Sequence, residues 1–156
     1  MSHRRKSREA ALQVLYALDA TEKNVGETFS VFWDNFDPQE DAREFAFLLI
    51  HGSWDKKEEI DATIIQHSEN WSLSRMARVD RNILRMAVYE LIYCPGIPPK
   101  VTINEAIDLA KLYGSENSGS FINGILDALY MDMRKMGMEK TKEPLKDMTY
   151  EADMSS

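Results

Sequence analysis

Apolar residues recur at helical spacing through nearly the whole chain, and this periodicity constrains the fold more than any other feature. Near the N-terminus four of them share one helix face: Ala11, Val14, Leu15 and Leu18. Spacings of three and four residues place side chains on one side of an α-helix. No segment shows the alternation of apolar and polar residues that a half-buried strand requires. The sequence therefore predicts an all-α fold.

Residues that start helices divide this pattern into about seven segments. Asp80 is expected to cap one helix, and Thr102 and Glu105 have the T-x-x-E spacing of a capping box. An aromatic pattern predicts a further helix over residues 29–36. Gly124 lies within the last helical pattern, where we interpret it as a close contact between two helices.

A chain of 156 residues can bury a sizeable core without disulfides or metal. We expect one helical domain over residues 1–136, built of two small helical halves that share a core, and a loose polar tail over residues 137–156. The one cysteine, Cys94, cannot form an internal disulfide, which suits a reducing compartment. No run approaches the roughly 18 apolar residues of a membrane span. We therefore expect a soluble cytoplasmic protein without a membrane partner.

The start of the chain is strongly basic, although the net charge of the chain is -7. Arg4, Arg5, Lys6 and Arg8 all precede the first acidic residue, Glu9. The overall acidity argues against indiscriminate coating of nucleic acid, but salt screens charges beyond about 10 Å, so a local basic site is compatible with it. Cations at a helix N-terminus oppose the helix dipole. This small cost favours a functional reason for their position.

A polar stripe lies on the first helix, on the side away from its apolar face. A projection at 100° per residue places Arg5, Glu9, Gln13 and Tyr16 along it. Proteins that bind single-stranded RNA use such pairings, in which cations hold phosphates and an aromatic ring stacks on an unpaired base. The alternative is a surface tyrosine that packs on a neighbour, beside arginines that only solvate a helix end. The pattern alone leaves both interpretations open.

The helix after Asp80 carries a second notable surface. Opposite its apolar face lie Arg85, Met86, Tyr89 and Tyr93. Exposed aromatic residues together with Met and Arg are typical of a protein-docking patch. A second layer of helices would instead make them part of the core. Both interpretations remain open at this level.

No pattern in the sequence indicates catalysis, a metal site or a cofactor. The three histidines are far apart, and one cysteine cannot form a zinc framework. The stretch GSENSGS lacks the lysine of a phosphate-binding loop and follows no predicted strand. Most carboxylates fall on predicted solvent faces. We therefore predict that the protein is not an enzyme and holds neither a metal nor a cofactor.

Four stretches together resemble the NusB family of bacterial transcription antitermination factors: RRKSREAALQVLYA, ILRMAVYEL, IPPKVTINEAIDLAKLYG and FINGILDAL. They stand in the family's order and at about its spacing. The resemblance implies an all-α fold of two small packed bundles. It also implies binding of the boxA element of nascent RNA, jointly with the small-subunit ribosomal protein NusE. Together with other Nus factors on RNA polymerase, that pair would keep ribosomal RNA transcription from terminating.

The resemblance assigns RNA contacts to the basic N-terminus, the first-helix aromatic and the loop before the last helix, and Gln13 joins them from the polar stripe. The resulting candidates are Arg4, Arg5, Lys6, Arg8, Gln13, Tyr16, Ser115, Asn117 and Phe121. Phe121 is either a second stacking ring or a core residue at a helix start. The candidates for the NusE surface are Arg81, Arg85, Tyr89 and Glu90. The alternative function is a helical protein-interaction adaptor without direct RNA contact.

Overall fold

The computed structural model describes residues 2–21, 40–69 and 71–137, and within these ranges the chain forms helices and no strand. The six α-helices of this part are α1 (Ser2–Thr21), α2 (Glu40–Asp55), α3 (Lys57–Gln66), α4 (Arg78–Tyr93), α5 (Pro99–Tyr113) and α6 (Ser118–Lys135). One 3-10 turn, Leu73–Arg75, lies between α3 and α4. The predicted all-α fold is confirmed. The predicted helix over residues 29–36, and the tail beyond residue 137, lie outside the described residues.

Helix α4 organises the fold, because it packs against each of the other five described helices. Helix α1 pairs closely with α2, and α5 with α6, so two small groups of helices meet at α4. The apolar face predicted for α1 is buried as expected, with Leu15 and Leu18 fully inaccessible to solvent. The predicted architecture of two small packed bundles is confirmed, and one continuous core runs through both.

Two helix starts differ from the predictions, because both helices begin before the predicted capping residues. Helix α4 begins at Arg78, which places Asp80 in its first turn rather than at the cap. Helix α5 begins at Pro99, where a proline suits the first turn of a helix. The Thr102 hydroxyl therefore lies inside α5 and donates to Glu90, while Glu105 accepts hydrogen bonds from Arg5. The predicted capping box is wrong.

The close helix contact predicted at Gly124 is also wrong, and Gly52 makes one instead. Among the described residues, no neighbouring side chain lies within 4 Å of a β-carbon built on Gly124. A β-carbon built on Gly52 would overlap the Tyr89 ring. Glycine at position 52 thus lets α2 approach α4 closely, whereas Gly124 faces open space on α6.

Replacing Gly52 with alanine should destabilise the protein by about 1–3 kcal/mol, because the added methyl group would force the packed Tyr89 ring to shift. The matched change Gly124→Ala should stabilise it by about 0.5–1 kcal/mol, since alanine has the higher helix propensity and the site is open. Denaturant unfolding of both variants measures the two effects. A Gly124→Ala variant less stable than the wild type would restore the close-contact interpretation.

Candidate nucleic-acid interface

The polar stripe predicted on α1 lies at the surface. Arg4, Arg5, Lys6 and Gln13 are exposed, and Tyr16 keeps 40% of its surface accessible. The Arg4 guanidinium lies over the Phe45 ring, 5.1 Å from its centroid, which orients one cation against α2. The start of α1 thus presents three exposed cations, and one of them, Arg5, lies on the same face as Tyr16 three turns later.

Arg5 is exposed but engaged by two acidic residues of α5. Its Nη2 atom lies 2.8 Å from Glu105 Oε2 and 2.8 Å from Asp108 Oδ2, and its Nε donates to Glu105 Oε1 at 3.2 Å. These hydrogen bonds and charges hold the pKa of Arg5 above its ordinary value and the pKa of Glu105 below its own. A phosphate that binds Arg5 must therefore share it with two carboxylates or displace them.

Arg8 does not lie on the exposed stripe. The residue is 3% exposed, and its Nε and Nη2 atoms donate to the two carboxylate oxygens of Glu90 at 2.7 and 2.8 Å. Burial opposes the charge, but the hydrogen bonds and charge of Glu90 outweigh it, so the pKa of Arg8 is raised. The prediction that Arg8 contacts phosphate is contradicted by its burial and its partner. The sequence could have indicated this burial, because Arg8 precedes the core residue Leu15 by two helical turns and therefore lies on the same helix face.

The far end of the stripe connects to α5 and α4. Glu9 lies beside the Tyr113 side chain at the end of α5; burial, with the neighbouring Glu9 carboxylate, raises the pKa of Tyr113. One turn further along α1, Gln13 is exposed, and beyond it the Arg78 guanidinium lies 5.8 Å from the centroid of the Tyr16 ring. The stripe therefore runs beside α5 toward the loop that follows it.

The loop between α5 and α6 is closed by serine hydrogen bonds. The Ser115 N–H donates to Ser118 Oγ at 2.9 Å, and Ser115 itself is exposed. Asn117 is exposed and immediately precedes α6, but its side chain makes no capping hydrogen bond. A groove of about 420 Å³ lies between this loop and α5, lined by residues that include Lys111, Ser115 and Ser120.

Phe121 is half-buried and meets an aromatic residue that the sequence analysis did not single out. Trp71, which is 44% exposed, contacts Phe121 edge to face, with 5.6 Å between the ring centroids. The Arg75 guanidinium lies 5.5 Å from the centroid of the Trp71 ring. The sequence could have indicated Trp71 as a site residue only because a tryptophan is unusual in an irregular polar segment. Its contact with Phe121 could not be foreseen, because the two residues lie 50 positions apart in the sequence.

The predicted NusE-binding residues of α4 are mostly buried. Tyr89 is 2% exposed and Glu90 1%, and Arg85, at 5%, donates to both carboxylate oxygens of Asp61 at 2.8 and 3.1 Å. Arg81 is half-buried and donates to Asp19 at 2.7 Å. The expectation of an exposed patch is wrong for Arg85, Tyr89 and Glu90, because the surrounding helices form the second layer.

The arrangement is suited to binding. Exposed cations and aromatic rings line the surface from α1 to the loop before α6, a composition that suits phosphates and flat rings. The ranges 2–21, 40–69 and 71–137 contain no group of three or more His, Cys, Asp or Glu side chains placed to hold a metal ion. None of the helices in these ranges is both long and apolar enough to span a membrane.

Comparison with known proteins identifies consistent relatives. The profile of the NusB family matches residues 5–131. The transcription antitermination protein NusB of Syntrophus aciditrophicus (strain SB) is 55% identical over 144 residues, which cover 92% of this chain and 89% of that protein. A structure of T. maritima NusB is 35% identical with a TM-score of 0.75, covering 86% of this chain and 97% of that one. A crystal structure of antitermination factors NusB and NusE in complex with double-stranded RNA is 36% identical with a TM-score of 0.76, covering 85% and 98%.

Proposed function

This chain belongs to the NusB family, and we propose that it is a transcription antitermination factor that binds boxA RNA jointly with the ribosomal protein NusE. The exposed stripe of α1 is the observation that carries the proposal, since it places Arg5 and Tyr16 on one helix face. Arg4 and Lys6 add two exposed cations at the same end of the helix. The solved complex of a relative contains NusE and RNA, which supports the same two partners here. We further propose that it acts in the cytoplasm with other Nus factors and RNA polymerase, supports ribosomal RNA transcription and catalyses no reaction.

The RNA path proposed here follows the stripe and the loop before α6. Arg4, Arg5 and Lys6 are accessible to phosphates, and Tyr16 is accessible to a base. Glu9 of the stripe lies beside Tyr113 at the end of α5, shortly before the candidates Ser115 and Asn117. Such an adaptor would be expected to bind RNA weakly alone, because few contacts are available.

The NusE surface proposed here is reduced to the first turn of α4. Arg78 is exposed there, and Arg81 is half-buried, whereas the later candidates on α4 lie inside the fold. Binding of NusE near Arg78 would bring a second surface beside Tyr16 and the RNA stripe. We therefore expect NusE to tighten RNA binding, by a coupling of about 1–3 kcal/mol.

Salt-dependent binding of a short single-stranded boxA-like RNA tests the proposal. Three accessible cations predict that the logarithm of the RNA-binding constant falls against the logarithm of the salt concentration with a slope of about -2. Each phosphate contact on a single strand contributes about -0.7 to this slope. Arg5→Ala should flatten the slope by less than one full contact, since Glu105 and Asp108 already compete for Arg5. Fluorescence anisotropy of labelled RNA, with and without NusE, measures both quantities.

The control is Lys135→Ala, which removes an exposed cation at the opposite end of α6 from Phe121 and should leave the slope unchanged. A double-stranded RNA of the same sequence provides a second arm, because its bases are not free to stack on Tyr16. A wild-type slope near zero contradicts the proposal. Binding of NusE without any binding of RNA supports the alternative adaptor function instead.

A further inference from the structure

A second aromatic surface lies next to the proposed RNA path. Trp71 and Phe121 meet edge to face and together border an open cavity of about 270 Å³. The wall of this cavity is apolar where Ile125 and Ala128 face it, and polar at the edge where His67 and Ser120 lie. An aromatic slot with a polar rim has the chemical character of a site for a flat heteroaromatic ring.

The surroundings of this cavity continue the proposed path. Ser120 lines both this cavity and the groove of about 420 Å³ beside the α5–α6 loop, so both spaces lie next to the first turn of α6. Lys111 lines the far groove, and Arg75 lies against the Trp71 ring at the near end. The Trp71 and Phe121 rings thus lie between two cations, Lys111 and Arg75.

The local charges favour a neutral ring over an anion inside the cavity. Glu69 lines it and is exposed, and Asp132 lies close by, bonded to His67 at 2.7 Å. Carboxylates at these positions repel a phosphate or an acidic peptide placed in the cavity. A nucleobase carries no net charge, and the phosphates that flank it can remain outside, near Arg75 and Lys111.

We propose that the cavity bordered by Trp71 and Phe121 receives one unpaired nucleobase of the bound RNA, with Trp71 as its stacking platform. The inference rests on the proposed function, because it adds a base-binding site to the same RNA strand. It assigns a role to a tryptophan that is 44% exposed. Every base has a flat face, so stacking here would add affinity with little sequence preference.

The test measures the affinity of single-stranded boxA-like RNA for three variants. Trp71→Ala should weaken binding by about five- to 100-fold, the range expected for loss of one stacked base. Trp71→Phe should retain binding within a few fold, because a ring remains. Gly124→Leu should also weaken binding, since a large side chain from this exposed cavity position would occupy the base site without removing either ring.

A second experiment measures affinity for a set of RNAs, each with one abasic nucleotide. This measurement distinguishes base stacking on Trp71 from a purely structural role of Trp71. One position should lose affinity with the wild type but show no further loss with Trp71→Ala, because the two changes remove the same contact. The salt slope should stay the same in Trp71→Ala, since no phosphate contact is lost. Thermal unfolding of each variant checks that the fold persists.

Unchanged RNA affinity in both Trp71→Ala and Gly124→Leu overturns the inference while leaving the proposed function standing, provided that the wild type binds RNA. Unchanged RNA affinity together with weaker NusE binding would assign the cavity to a protein partner instead. A wild type that binds no RNA overturns the proposed function and this inference together.

Discussion

Replacing Arg8 with alanine should lower the free energy of unfolding by about 3–5 kcal/mol, because it leaves the carboxylate of Glu90 buried without its cation. Glu90 would keep the hydrogen bond that its Oε1 atom accepts from the Thr102 hydroxyl at 3.0 Å. Denaturant unfolding followed by circular dichroism measures the loss. The size of the effect reflects the burial of both partners, which are 3% and 1% exposed.

Two further variants separate this structural role from RNA contact. Lys6→Ala removes a nearby cation that is exposed, so it should leave the free energy of unfolding almost unchanged. The double variant Arg8→Met/Glu90→Leu replaces the ion pair with apolar side chains and should recover much of the lost stability. If Arg8→Ala instead kept its full stability and lost RNA affinity, Arg8 would be a phosphate contact after all.

Arg85→Glu should destabilise the protein by about 3–5 kcal/mol or more, rather than weaken NusE binding to a folded protein. The Arg85 guanidinium bonds both oxygens of Asp61 and lies 3.2 Å from Asp19 Oδ2. A glutamate there would place a third carboxylate beside these two in a site that is 5% exposed. Both the broken pairs and the repulsion between like charges act against folding.

The loss in Arg85→Glu should depend on pH, and its sign follows from Asp19. Burial alone would raise the pKa of Asp19, but hydrogen bonds from Arg81 and Asn82 and the charges of Arg85 and Arg81 outweigh it and lower the pKa. A lowered carboxyl pKa stabilises the fold above the ordinary carboxyl range, and this contribution disappears as the pH falls through the lowered value. The variant loses the Arg85 contribution, so its deficit should be largest near neutral pH and shrink upon acidification.

The control for this series is Arg78→Glu, about two turns earlier on the same helix. The Arg78 side chain is 41% exposed, and its Nε atom lies as far as 4.0 Å from Asp19 Oδ2. Because such an exposed ion pair is weak, the change should lower the free energy of unfolding by no more than about 1 kcal/mol. Unfolding curves from neutral pH down through the ordinary carboxyl range, about pH 4, and below compare the two variants. A stable Arg85→Glu protein that fails to bind NusE would return Arg85 to the partner surface.

The sequence by itself determined the helical class and the side of each helix that carries most apolar residues. The face of Ala11, Val14, Leu15 and Leu18 is buried as the periodicity predicts, and Arg5 and Tyr16 lie on the exposed side. These features follow from the angle of each residue about its own helix axis, which depends only on spacing along the chain. For the same reason the stripe proposed for RNA could be located before any contact was known.

Only the tertiary structure decided which second faces are covered and which side chains meet across the chain. Arg8 pairs with Glu90 from 82 positions away, and that contact turned a predicted phosphate ligand into a core ion pair. Eleven of the sixteen residues of α4 are buried, because five helices pack around it. The meeting of Trp71 with Phe121 likewise depends on how the segment before α4 lies against α6. Periodicity describes one helix at a time, whereas burial depends on which neighbours surround it.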